Sequence, residues 1–251
     1  MSPLPSAEPR SRARSRSVAA RSAAPRAVAR LARLGAALIV AGLVAAGCGS
    51  SSVASPQASA QASALPAGTY TSRAFQPAVT FTLPAGWDNP ADSADFFQLR
   101  PAGSDIAGIY LFRDPMPASQ DAACPETAQP GVGVSSKDLA AWIRSLPGLV
   151  ASDPVPVTIG GLTGVTLDLG IVNGWKASCP FANGLPTVPL FVGSKGNFRW
   201  VIAGNEQLRL ALFDVSDGTV VVDVDAFDGR VMNDLLAAAD PIIKSFSFAK
   251  P

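Results

Sequence analysis

The chain has 251 residues, lacks histidine altogether, and carries 20 basic against 19 acidic residues. Without histidine, Ser-His-Asp and Cys-His nucleophile systems are excluded on composition, and the commonest general base and metal ligand is missing. The near-neutral total hides a division. Residues 1–33 hold eight arginines and one acid, Glu8, whereas everything after residue 47 carries 12 basic and 18 acidic residues, a net charge near −6. That sign argues against nucleic acid and against electrostatic docking on anionic lipid.

After the arginines, residues 34–47 read LGAALIVAGLVAAG and run into Cys48. A basic segment, a short apolar segment and a small-residue cleavage site, in that order, define a secretory signal. Its apolar part spans roughly 21 Å as a helix, short of a ~30 Å hydrocarbon core, which argues against a permanent membrane span. The sequence Ala45-Ala46-Gly47-Cys48 resembles the lipobox of bacterial, actinobacterial-type lipoproteins. That resemblance implies cleavage before Cys48, lipidation of Cys48 with palmitate-like acyl chains, and anchoring to the outer face of the cytoplasmic membrane or cell envelope. Ala45 stands where leucine is commonest in that motif, and the alternative is an ordinary secretory signal that happens to contain a cysteine. No twin-arginine pair precedes the apolar run, so the general secretory route is expected. Val28 is an alternative start, giving a compact signal that begins VARLARLG.

The chain is therefore expected to divide into a cleaved signal (1–47), a lipidated cysteine with a Ser/Ala/Gln-rich flexible tether (48–66), and a single globular domain (67–251). Strands are predicted at 79–83, 96–99 and 108–112. Cys124 and Cys179, each followed by proline, form an even pair after the anchor and are expected to be a disulfide outside the cytoplasm; a metal site is the poorer reading without histidine. A helix is predicted from Ser135/Ser136 to Leu146, stopped by Pro147-Gly148. Strands at 157–159 and 163–169 follow, joined by a glycine turn.

Three strands, 198–203, 207–215 and 219–227, alternate apolar and polar residues and predict an antiparallel meander. Matching the leucines of the second to the valines of the third favours a three-residue loop, Ser216-Asp217-Gly218, over a two-residue turn at Asp217-Gly218. This pairs Leu212 with Val222 and sets Arg209 opposite Asp225 on an outward face. The loop 204–206 likewise pairs Trp200 with Leu210. Asp223, Asp225 and Asp228 fall short of calcium-loop spacing and read as a solvated face. Residues 230–239 predict a helix capped by Asp228, broken or kinked at Asp240-Pro241, and 245–248 a last short strand. Few helices and many strands, not in strict alternation, give α+β: an antiparallel sheet with two or three helices packed on it and one disulfide.

The segment VTFTLPAGW (79–87), the central strands and the closing PIIKSFSF (241–248) are similar to the Mog1/PsbP-like fold. The resemblance spans roughly residues 68–248. It implies a protein that binds or assembles partners without catalysing, and it carries no functional residue to this chain.

No nucleophile elbow, Walker loop or dinucleotide fingerprint is present. No catalytic residue, metal ligand or cofactor is assigned. The cysteine-bearing loops, with Trp175 and Phe181, are candidate binding loops; the alternative is that both rings cap the core. Trp87 and Trp142 read as core. The leading expectation is a membrane-anchored extracytoplasmic binding or assembly module whose partner is a protein or a small apolar ligand. The alternative is a carboxylate-dependent hydrolase of the cell envelope, with Glu126 and Glu206 among its candidate acids. A convergent pair of acids in a deep cleft would favour the enzyme, and an apolar cavity would favour binding.

Overall fold

A computed structural model describes residues 64–105, 107–196 and 198–250. The expected leader, Cys48 and nearly all of the tether lie outside the described residues. In chain order the strands and helices are β1 (Gly68–Thr71), β2 (Val79–Leu83), β3 (Trp87–Asp92), β4 (Phe96–Pro101), β5 (Ala107–Arg113), β6 (Met116–Pro117) and α1 (Ser136–Ser145). They continue with β7 (Leu149–Ala151), β8 (Val155–Ile159), β9 (Leu162–Ile171), β10 (Thr187–Val192), β11 (Arg199–Ala203), β12 (Gln207–Val215) and β13 (Gly218–Ala226). The chain closes with α2 (Gly229–Lys244) and β14 (Ser247–Phe248).

A central antiparallel sheet runs β3-β4-β5-β13-β12-β9-β7, and β8 pairs with β9 beyond the end of β7. Two small sheets, β1-β2-β14 and β11-β10-β6, cover its opposite faces together with one helix each. On the first face Ile109, Leu111, Phe213, Val222 and Val224 pack with Leu235, Ala239 and Ile242 of α2 and with Phe81 and Phe248. On the second, Phe112, Leu208, Leu210, Leu212 and Val221 pack with Leu139 and Ile143 of α1 and with Leu190, Phe191 and Ile202. The class is α+β, with mostly antiparallel sheet, as the alternation predicts.

Helix α1 starts where it does because Ser135 accepts from the Asp138 amide at 3.1 Å. Asp214, at the end of β12, accepts from both the amide and the hydroxyl of Ser136 at 2.7 Å, tying the helix start to the central sheet. Helix α2 is capped by Asp228, as expected, through the amides of Arg230 and Val231. It does not break at Pro241 but continues to Lys244. Proline removes one helical hydrogen bond; here the burial of Ala239 and Ile242 against the sheet holds the turn, and Asp240 pairs with Lys244 across it at 2.8 Å.

The expected meander is the main correction. β12 pairs with β13 and β9, whereas β11 pairs with β10 in a different sheet, so Trp200 does not sit beside Leu210. The β12–β13 hairpin turns through Ser216-Asp217 alone, pairing Leu212 with Val221 and Val215 with Gly218. Gly218 adopts φ 151°, and a Cβ there would overlap the Asp114 carboxylate. This register sets Arg209 opposite Val224, not Asp225. The leucines of β12 and the even-numbered valines of β13 therefore lie on opposite faces. Pairing those leucines with those valines requires one wet face, whereas a central strand in a sheet covered on both sides buries both.

Candidate functional site

On the first face the floor residues of adjacent strands are small. Thr166 of β9, Ala211 of β12, and Val222 and Val224 of β13 leave room beneath α2 that larger residues would fill. The result is a groove of about 360 Å³ between α2 and the sheet, closed along one side by Val155, Val157 and Ile159 of β8 and on the other by Leu236 and Ile243. One end is polar. Arg209 makes a two-pronged pair with Asp168, Nε to Oδ1 at 2.7 Å and an Nη to Oδ2 at 2.9 Å, and Asp240 stands at the lip. An apolar trough of this size with a few convergent polar groups is the usual form of a small-ligand site, ~300–1,000 Å³. β8 is the outermost strand here and Val155 is exposed, so apolar surface continues outward from the groove.

On the second face, behind Val222 and Val224, lies a feature the sequence reading misassigned. Asp223 is fully buried and Asp225 is 5% exposed; neither belongs to a solvated face. Glu206, expected at a hairpin tip, instead sits on the connection that carries the chain from β11 in the outer sheet to β12 in the central one. It turns inward, accepts from the Ala203 amide at 2.7 Å and brings its carboxyl to bear on that of Asp225. The Trp200 indole N–H donates to Asp223 Oδ2 at 2.8 Å, and the Trp200 ring packs against Tyr110 with centroids 4.5 Å apart. Tyr110 lies over Gly108, where any Cβ would press on its hydroxyl. Oδ1 of Asp223 and Oδ1 of Asp225 have no hydrogen-bond partner among the described residues.

Removing carboxylates from water without a countercharge favours the protonated form. Burial pushes Asp225 up to about 10, and the nearby Asp223 and Glu206 add to that. Burial also raises Asp223 well above the usual carboxylate range and raises Glu206. The Tyr110 phenol is raised by burial and then by the same carboxyls. Among the described residues no group of three or more acids is placed to hold a metal ion.

The cysteines form the expected bridge. Cys124 and Cys179 are joined with their Cα atoms 5.6 Å apart. Around it, Arg199 of β11 pairs with Glu126 at 2.9 Å and lies over the Phe181 ring at 3.9 Å. Trp175 donates to the Thr187 carbonyl at 3.1 Å and packs on the second core, whereas Phe181 stays 40% exposed. The structure therefore separates the two rings that the sequence reading grouped. Trp87 and Trp142 are core residues.

No protein-family profile matches the chain, and no curated protein matches it in sequence. Among solved structures it is similar to a Bacteroides thetaiotaomicron protein at 9% identity and TM-score 0.33, covering 68% of this chain and 45% of that one. It is also similar to the solution structure of cyanobacterial PsbP (CyanoP) from Synechocystis sp. PCC 6803, at 12% identity and TM-score 0.38, covering 78% and 99% respectively. The chain thus spans less than half the length of the Bacteroides protein. Likenesses of this grade say nothing of activity. Among the described residues no helix is long and apolar enough to cross a membrane.

Proposed function

We propose that the domain is an extracytoplasmic binding module, held to the membrane through a lipidated Cys48, whose ligand is a small apolar or amphipathic molecule taken by the groove beneath α2. The groove carries this reading: its lining is apolar along β8, β13 and α2, and Arg209 and Asp168 supply a polar end. The basic leader, the apolar run and the Ala45-Ala46-Gly47-Cys48 motif support export and anchoring. The disulfide Cys124–Cys179 suits an oxidising compartment. The Mog1/PsbP-like resemblance of the sequence belongs to the same proposal. Phe181, exposed on the stapled loops, is the proposed contact for a protein partner.

The rival reading, a carboxylate-dependent hydrolase, has one observation in its favour, the convergence of Glu206, Asp223 and Asp225. A hydrolase must present its acids to substrate. Asp223 and Asp225 are sealed beneath Trp200 and Tyr110, so we keep the binding reading.

The test is titration of the purified protein with an environment-sensitive fluorescent acyl probe, alongside Ala211→Trp, which fills the floor of the groove. Saturable binding to the native protein that the substitution abolishes supports the assignment. Equal binding to both proteins, or none to either, refutes it.

A further inference from the structure

The carboxyl cluster has no part in the groove, and its construction suggests a role of its own. Its members come from elements held by the sheet to different degrees. Asp223 and Asp225 are on β13, hydrogen-bonded on both sides by β5 and β12. Glu206 is on a connection whose neighbours Asn205 and Gln207 are exposed. Trp200 is on β11, an outer strand paired only with β10 among the described residues. If the cluster gains charge, the central strand is the part that stays and the crossover with its tryptophan is the part that moves.

The groups that face the cluster are few. Tyr110 comes from β5, with Gln98 of β4 opposite it in the ladder. Trp200 comes from β11, Glu206 from the crossover, and the apolar Leu208 and Leu210 from β12. No lysine or arginine is among the groups acting on the three carboxyls. A second ionisation in this space therefore has no counterion and forces either water entry or separation.

We propose that Glu206, Asp223 and Asp225 form a proton-held clasp that fastens the β11–β12 crossover and the Trp200 indole to the central sheet, and that opens as the pH rises. In the closed state one carboxyl of the Glu206–Asp225 pair donates its proton to the other, and neutral neighbours tolerate the unpartnered oxygens. Loss of that proton removes the Glu206–Asp225 bond and sets two negative charges against each other. The crossover at 204–206 then swings outward and Trp200 loses its acceptor and its cover. Leu185 and Phe227 flank Gly204 and are already exposed, so opening there would enlarge an apolar surface. The groove lies on the opposite face, and this device stands whether or not the groove binds a ligand.

The experiment is acrylamide quenching of tryptophan emission across about pH 5 to about pH 11, where tyrosine ionisation near the top of the range is common to both proteins compared. The native protein is compared with Trp200→Phe to isolate the Trp200 contribution. The expected result is a Trp200 contribution protected at acid pH and quenched at alkaline pH, with a midpoint at least about 3 pH units above the ~4 of a solvated carboxylate. Glu206→Gln with Asp225→Asn should abolish that transition. A flat profile in the native protein, or an unchanged transition in the double variant, overturns the proposal. Should the double variant not fold, carbon-detected NMR titration of the native carboxyls decides. Resonances that titrate near the ordinary value overturn it, and resonances that titrate above about pH 7 support it.

Discussion

Replacing both Cys124 and Cys179 with alanine removes a bridge between residues 55 apart in sequence. In the chain-entropy description, closing a loop of that length restricts the unfolded chain by about 4 kcal/mol at 25 °C. The folded side changes little. Arg199 still pairs with Glu126 and stacks on Phe181, and Gln120 still donates to the Pro189 carbonyl at 2.9 Å, so the two loops keep their places on the outer sheet. The loss therefore falls on the unfolded ensemble. For a domain of this size each kcal/mol moves the midpoint by ~2–4 °C, which places the unfolding midpoint of the double variant about 8–16 °C below that of the oxidised protein. Differential scanning calorimetry of both proteins, with and without reductant, reads this directly, and reductant should lower only the native protein toward the variant. A shift under about 2 °C would refute the reasoning, because it would mean the reduced unfolded chain holds these loops together by itself.

Stability should fall as pH rises. The folded-state values of Asp223, Asp225 and Glu206 are raised, so their contribution is complete below the unfolded value near 4 and is lost as pH climbs toward the folded value, about 10 for Asp225. The slope is up to ~1.4 kcal/mol per pH unit for each carboxyl still protonated in the fold; urea midpoints at acid and at mildly alkaline pH measure it, and Asp225→Asn should flatten it. Gly164→Ala should cost about 1–3 kcal/mol, since a Cβ there would overlap the Leu212 carbonyl and the Phe213 ring where β9 meets β12; a midpoint equal to that of the native protein would contradict the close packing described. Ser135→Ala should cost about 1 kcal/mol through loss of the α1 cap, read by chemical denaturation. Arg209→Gln should weaken an acyl probe carrying a carboxylate more than one carrying an alcohol, and equal weakening of the two would detach Arg209 from recognition.

Much of the domain is legible from local pattern. Val79–Leu83 is found as expected, β9, β12 and β13 lie within a residue or two of their predicted limits at most ends, and both helices start on the capping residues that Ser135 and Asp228 announce. What local pattern does not carry is which neighbour a strand chooses. Leu208, Leu210 and Leu212 alternate equally well against β11 or β9, and the two-residue turn that decides the β12–β13 register follows from burial of both faces. Strands interrupted by proline, β3 with Pro90 and β10 with Pro189, were hidden for the reason proline is uncommon in strands. Asp223 and Asp225 stand at alternate positions among valines, the ordinary mark of an exposed face, and nothing adjacent announces a lid supplied from residue 200. The groove is equally non-local, since it depends on Thr166, Ala211 and Val222 being neighbours across three strands.

The pairing at the centre of the sheet also bears on when the domain can form. Tyr110 of β5 meets Asp223 of β13 about 110 residues downstream, and β2 pairs with β14 across a still longer interval, contacts of a kind that slow folding. In a chain emerging from its N-terminal end, β5 keeps one hydrogen-bonding edge vacant until β13 follows. The order of elements thus delays collapse of the domain until the last third of the chain is present. It also leaves β5 and β2 as the segments a holding chaperone would have most reason to cover.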